Sequence, residues 1–92
     1  MLLSIVQISS VQEMRQMHFQ RLRDLREDKD LKQSDIAKIL GIQQTVYSRY
    51  ERGAQNIPLE FLIALADYYH TSTDYILGRT NEFKPYPKAK KL

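Results

Sequence analysis

The central segment of the chain carries its most informative pattern. It reads Gln33-Ser-Asp-Ile-Ala-Lys-Ile-Leu-Gly-Ile-Gln-Gln-Thr-Val-Tyr-Ser-Arg-Tyr-Glu-Arg52. Apolar residues recur in it at the three- and four-residue spacing of amphipathic helices, and Gly41 interrupts the pattern. We therefore predict one helix over 33–40 and a second over 44–52, joined by a short turn.

Two helices so close in sequence must cross at short range, and the residues near the crossing fit that requirement. Ala37 is small enough to let the second helix approach, and Gly41 suits the left-handed conformation that ends the first helix. The inward-facing positions of the two helices and the turn hold Ile36, Leu40, Ile42, Tyr47 and Tyr50. This combination predicts a helix-turn-helix.

The flanking sequence predicts three further helices and no convincing strands. One covers about 18–28, another about 59–70 after the break at Pro58, and a short one begins within 71–74 and ends at Gly78. Their expected inward residues are Phe19, Leu22, Leu25, Leu62, Leu65, Ala66, Tyr69 and Ile76. We expect an all-α fold, a compact five-helix domain over residues 18–79.

The two ends of the chain differ from this body. Residues 1–17 form an N-terminal extension whose pattern fits either a strand fragment or a backward continuation of the first helix. Residues 80–92 contain two prolines among several lysines, which is typical of a basic and flexible tail.

Composition narrows the class of protein. The chain has 92 residues, enough for one small domain, and 42% of them are hydrophobic, as in ordinary globular proteins. It contains no cysteine, which excludes disulfides and suits a cytoplasmic location. Because no run approaches the roughly 20 apolar residues of a membrane-spanning helix, we expect no membrane partner. Residues 79–92 hold five Lys or Arg and one Glu, a net +4, so the rest of the chain is close to neutral and the total of +3 says little about a partner.

The chain resembles the Cro- and lambda-repressor-like (XRE-type) helix-turn-helix proteins over roughly 19–80. The similarity is carried by four blocks, Leu31-Lys-Gln-Ser-Asp-Ile-Ala37, Gly41-Ile42, Ser48-Arg-Tyr-Glu-Arg-Gly53 and Leu65-Ala-Asp-Tyr-Tyr with Asp74-Tyr-Ile-Leu-Gly-Arg-Thr80. Two positions depart from the family pattern. Lys32 stands where a Ser or Thr cap is common, and Tyr47 replaces a branched aliphatic residue.

The resemblance implies a lambda-repressor-like fold and a sequence-specific regulator of transcription, with a repressor as the expected type. Such a protein inserts helix 44–52 into the major groove of double-stranded DNA and binds a palindromic operator as a homodimer. The resemblance also implies that Arg26 and Glu51 form a structural ion pair beneath the side of helix 44–52 that faces DNA.

Helical geometry selects the side chains that point away from Tyr47 and Tyr50. We expect base contacts from Gln44, Thr45 and Arg49, because Gln and Arg can pair with adenine and guanine edges and Thr can contact the thymine methyl group. Base or backbone contacts are expected from Gln43, Ser48 and Arg52. Phosphate contacts are expected from Gln33, at a helix N-terminus, and from Asn56.

The sequence disfavours an enzyme and leaves one alternative function. An enzyme is not expected, because His18 and His70 lack metal-ligand spacing and no nucleophile or phosphate-loop motif occurs, so we also expect no metal and no cofactor. The alternative is an antitoxin or antirepressor-like module that uses the same fold to bind a protein partner. Dimer contacts could come from the N-terminal segment, the last helix, or Ile63 and Tyr68.

Overall fold

The computed structural model describes residues 20–89, which contain five helices and no strand. Helix α1 covers 20–28 of this range, followed by α2 (Gln33–Leu40), α3 (Gln44–Glu51), α4 (Leu59–Tyr68) and α5 (Thr73–Ile76). The predicted all-α architecture is confirmed. The expectations for residues 1–17, Phe19 and 90–92 lie outside the described residues.

Residues in the left-handed backbone conformation terminate α2 and α4. Gly41 has a φ of 71°, as predicted, and the Ile42 N–H donates to the Ala37 carbonyl at 3.0 Å. Helix α3 ends one residue before its predicted limit and α4 two residues before. The end of α4 is closed by His70, with a φ of 56°, and by the Thr71 N–H, which donates to Ala66 O at 2.9 Å.

At the start of α2, a side chain within the helix provides a capping hydrogen bond in place of a Ser or Thr cap. Lys32 occupies the cap position, and its backbone N–H donates to the Asp35 carboxylate at 2.8 Å. In a capping box, this is the hydrogen bond from the backbone N–H of the cap residue to the side chain three residues later. It connects the first helical turn to the residue before it. At α5 the cap is conventional, since Ser72 Oγ accepts the Tyr75 N–H at 3.0 Å.

The core receives side chains from all five helices. Its buried apolar members are Leu22, Leu25, Ile36, Ala37, Tyr47, Tyr50, Leu62, Leu65, Ala66, Tyr69 and Ile76. Leu40, Ile42 and Leu77 are partly buried and pack against it. The inward positions predicted from periodicity therefore form one cluster. Among the helices of residues 20–89, none has both the length and the apolar character needed to cross a membrane.

The first part of the C-terminal segment packs against the helices. The Arg21 guanidinium donates to Tyr75 O at 2.7 Å and to Asn81 Oδ1 at 2.8 Å, and it lies 4.1 Å from the centre of the Tyr75 ring. The Thr71 hydroxyl donates to Phe83 O, and the Phe83 ring meets Tyr75 edge-on at 5.3 Å. The flexibility expected for the tail as a whole stays a prediction.

Truncation of Leu65, which is fully buried at 0% exposure, should destabilise the domain strongly. We expect Leu65→Ala to lower the free energy of unfolding by about 2–5 kcal/mol, because it removes apolar contacts and leaves a cavity. Leu59→Ala, on the same helix but 69% exposed, is the control and should change it by less than about 0.5 kcal/mol. Urea denaturation measures both, and equal losses would contradict the described core.

Candidate nucleic-acid interface

Helix α3 presents one polar face to solvent because its aromatic side chains are buried. Tyr47 and Tyr50 are 0% and 5% exposed, so the opposite side of the helix must face outward. One shallow concavity is lined by that side together with the first residue of α2, and its members are Gln33, Gln44, Thr45, Ser48, Arg49 and Arg52. We call this set the recognition surface.

Six of the eight predicted DNA-contacting residues thus share one surface. The other two lie apart from its lining. Gln43 is exposed at the N-cap of α3, where its carbonyl accepts the N–H groups of Val46 and Tyr47, both at 3.1 Å. Asn56 is exposed in the loop between α3 and α4.

The recognition surface has the chemistry of a donor-rich, positively charged patch. Every lining side chain has a hydrogen-bond donor, two of them are guanidinium groups, and none is acidic. Arg52 Nε lies 3.4 Å from Ser48 Oγ, one helical turn away. Such a surface can donate hydrogen bonds to acceptor atoms on base edges and to phosphate oxygens.

An ion pair lies beneath this surface and joins three helices. Arg26 on α1 donates to Glu51 on α3 through two parallel hydrogen bonds, Nε to Oε2 at 2.9 Å and Nη2 to Oε1 at 2.8 Å. The remaining nitrogen, Nη1, donates to Leu31 O at 2.8 Å, just before α2. The Arg26 and Glu51 side chains are 13% and 3% exposed, so water screens the pair weakly.

Gln33 connects the ion pair to the recognition surface. Its Nε2 donates to Glu51 Oε1 at 3.2 Å, while the residue also lines the concavity. Sequence reasoning assigned Gln33 to phosphate alone and missed this second contact. The two residues are brought together only by the crossing of α2 over α3, and no local sequence signal reports that contact.

The pKa values of the buried groups follow from this arrangement. Burial alone would raise the pKa of Glu51, but hydrogen bonds from Arg26 and Gln33 outweigh it and hold the pKa below its ordinary value. The hydrogen bond to Glu51 raises the pKa of Arg26. Burial raises the pKa of Tyr47, and the Glu51 charge raises it further. The Tyr47 hydroxyl has no hydrogen-bond partner among residues 20–89.

Residues 22–76 match the model of a helix-turn-helix family. This range contains the whole recognition surface and the ion pair beneath it. The chain belongs to the helix-turn-helix family. Within residues 20–89, no cluster of three or more His, Asp or Glu side chains is placed to hold a metal ion.

Curated relatives of this helix-turn-helix chain include three bacterial or phage proteins. It is 40% identical over 76 residues to an uncharacterised transcriptional regulator, YobD, of Bacillus subtilis, a match that covers 83% of this chain and 68% of YobD. It is 37% identical over 76 residues to the regulator AnsR of the same organism, covering 83% and 66% of the two chains. The cryptic phage CTXphi transcriptional repressor RstR of Vibrio cholerae is 38% identical over 53 residues, covering 58% and 48%.

The matches therefore span about two thirds of YobD and AnsR and about half of RstR. No solved structure matches the chain significantly. The family match and these relatives make the chain a member of a family of DNA-binding transcriptional regulators.

Removing the carboxylate of the ion pair should be costly. Glu51→Gln leaves the Arg26 guanidinium without a counter-charge at a largely buried site, so we expect a loss of about 3–5 kcal/mol in the free energy of unfolding. Glu27→Gln is the matched control, because Glu27 pairs with Arg23 at 3.2 Å on the exposed side of α1. An exposed pair contributes about 0.2–1 kcal/mol. Chemical denaturation distinguishes the two, and similar losses would refute the importance of burial.

Acid should weaken the domain through the same carboxylate. The pKa of Glu51 is lower in the folded protein than its ordinary value of 4.5. Its contribution to stability is therefore present above that ordinary value and is lost as the pH falls through the folded-state pKa. We expect the unfolding midpoint of the natural protein to fall more steeply below pH 4.5 than that of Glu51→Gln, measured by thermal denaturation across pH. Parallel pH profiles would contradict the pKa shift.

Proposed function

We propose that the chain is a sequence-specific repressor of transcription that binds a palindromic operator as a homodimer, with α3 inserted in the major groove of double-stranded DNA. The observation that carries this proposal is the recognition surface, where two arginines and four neutral donors share one concavity without an acidic group. An α-helix fits into the major groove of DNA, which is about 12 Å wide.

The side chains of the recognition surface are assigned to bases or to phosphates by the contacts that each can make. Gln44, Thr45 and Arg49 are exposed along α3, and we assign them to base edges. An arginine can donate two hydrogen bonds to guanine, a glutamine can pair with adenine N6 and N7, and a threonine methyl group can contact the thymine methyl group. Ser48 and Arg52 are assigned to bases or to the adjoining phosphates.

Phosphate contacts would then set the register of α3 in the groove. Gln33 stands at the first position of α2, where unpaired backbone N–H groups and the positive end of the helix dipole favour an anion. Its hydrogen bond to Glu51 restricts the amide to one orientation. Gln43 and Asn56 are both exposed. We assign Gln43 to bases or to the DNA backbone, and Asn56 to a phosphate.

The homodimer and the repressor role are supported by different observations. A single helix of eight residues reads few base pairs, so helix-turn-helix domains gain specificity by placing two copies on half-sites about 34 Å apart. The similarity to RstR, which is named a transcriptional repressor, supports repression. The alternative, an antitoxin or antirepressor-like module with a protein partner, is less well supported, because the recognition surface offers no apolar or acidic anchor.

Selection of bound sites from a random pool of DNA tests the proposal. We expect enrichment of a sequence with two inverted half-sites about one helical turn apart. A folded protein that enriches no sequence would overturn the proposed function and favour the protein-binding module.

Loss of Arg49 should relax sequence discrimination. We expect Arg49→Ala to weaken binding to the selected site by about 1–3 kcal/mol and to equalise affinities for substitutions at the base it contacts. Lys84→Ala is the control, because it removes the same charge from the C-terminal segment and should change affinity for all sequences alike. Fluorescence anisotropy on matched and substituted sites measures both. Retained discrimination in Arg49→Ala would remove Arg49 from the base-contacting set.

A further inference from the structure

A second concavity lies between α4 and the C-terminal segment, and it shares no residue with the recognition surface. One wall is formed by α4 and the other by residues 85–88. The residues that matter here are Ile63, Ala66, Asp67, Pro85, Tyr86 and Lys88. We call this concavity the C-terminal cleft.

The C-terminal cleft has an exposed apolar centre. Ile63 is 46% exposed and Tyr86 is 56% exposed, on opposite walls. The wall formed by the C-terminal segment is held in place, because the Tyr86 hydroxyl donates to Asp74 Oδ2 at 3.1 Å and the Thr71 hydroxyl donates to Phe83 O. Large apolar side chains held open to water in this way favour a contact with another surface.

The charges beside this centre are of opposite sign. Asp67 is on the α4 wall and Lys88 is on the C-terminal wall, and both are exposed. Among residues 20–89, the ion pairs are Arg23–Glu27 and Arg26–Glu51, so neither Asp67 nor Lys88 is neutralised within its described surroundings. A uniformly acidic or basic partner would match only one wall.

A surface with an apolar centre and one charge of each sign can complement itself. In a two-fold contact the same patch meets its own copy, so that residue i faces residue j and residue j faces residue i. We infer that the C-terminal cleft is the docking surface for a second copy of this chain, with Asp67 of each copy facing Lys88 of the other and Ile63 and Tyr86 buried between them.

This inference deepens the proposed function, on which it rests for the need of a dimer. The described molecule measures 44 × 36 × 26 Å. Two copies in side-by-side contact therefore have their centres separated by a distance of the same order as the half-site spacing of about 34 Å. Contact through α4 also leaves the recognition surface of each copy free, since that surface is formed by α2 and α3.

Charge reversal tests the contact directly. We expect Asp67→Lys and Lys88→Glu each to weaken self-association of the full chain about tenfold or more, because each places two like-charged pairs in the dimer. An equimolar mixture of the two variants should associate as well as the natural protein, since the mixed dimer has two opposite-charge pairs. Sedimentation velocity without DNA measures all of these.

The mixture separates a contact between copies from one within a chain. If Asp67 and Lys88 interacted only within one chain, mixing the two variants would restore nothing, and that result would overturn the inference. Self-association that is unchanged in both single variants, or a natural protein that stays monomeric at all concentrations, would also overturn it and leave the cleft to another occupant, such as residues 1–19.

A second pair of variants tests the apolar centre. Ile63→Lys should weaken self-association at least tenfold, whereas Ile39→Lys should not, although Ile39 on α2 is equally exposed at 46%. Circular dichroism checks that both variants fold. Equal effects of the two variants would refute the cleft as the interface. Because none of these measurements involves DNA, site selection can fail while the interface stands, or the interface can fail while site selection succeeds.

Discussion

The guanidinium of Arg26 and the carboxylate of Glu51 lie fork to fork where α1, α2 and α3 meet. A charge at so buried a position is tolerated only when an opposite charge and further hydrogen bonds surround it. Leu31 O accepts the remaining Arg26 nitrogen and Gln33 donates to Glu51, so the pair is supported from both sides. Through these hydrogen bonds, one largely buried polar network connects α3 to both α1 and α2.

The same pair shapes the electrostatics of the recognition surface. Glu51 is the acidic residue of α3, and a free carboxylate there would repel the phosphates of DNA. Because its charge faces inward and is matched by Arg26, the outward side of the helix keeps two arginines and neutral donors. Gln33 belongs to both systems, so the packing of the three helices also positions a side chain of the recognition surface.

The two surfaces described above lie on different helices and differ in charge and polarity. The recognition surface, on α2 and α3, has positive charge and no acidic residue. The C-terminal cleft, on α4 and the segment after α5, has an apolar centre with one charge of each sign. DNA is a uniform polyanion, so it matches the first surface, whereas a copy of the chain matches the second. The hydrogen bond from Tyr86 to Asp74 holds the wall formed by residues 85–88, and the contacts of Arg21 with Asn81 and of Thr71 with Phe83 hold the residues just before it.

Local sequence determined the helices, their inward faces and the outward stripe of α3. The reason is that apolar spacing and the left-handed preference of Gly41 act over three to seven residues. It also identified Gln44, Thr45 and Arg49 as neighbours, because residues on one helix keep a known geometry. Tertiary structure alone decided the contact of Gln33 with Glu51, the packing of Phe83 against Tyr75, and the meeting of Asp67 with Lys88 around one cleft. The two members of each pair lie on different segments of the chain, so their contacts arise from how the helices cross and where the C-terminal segment returns.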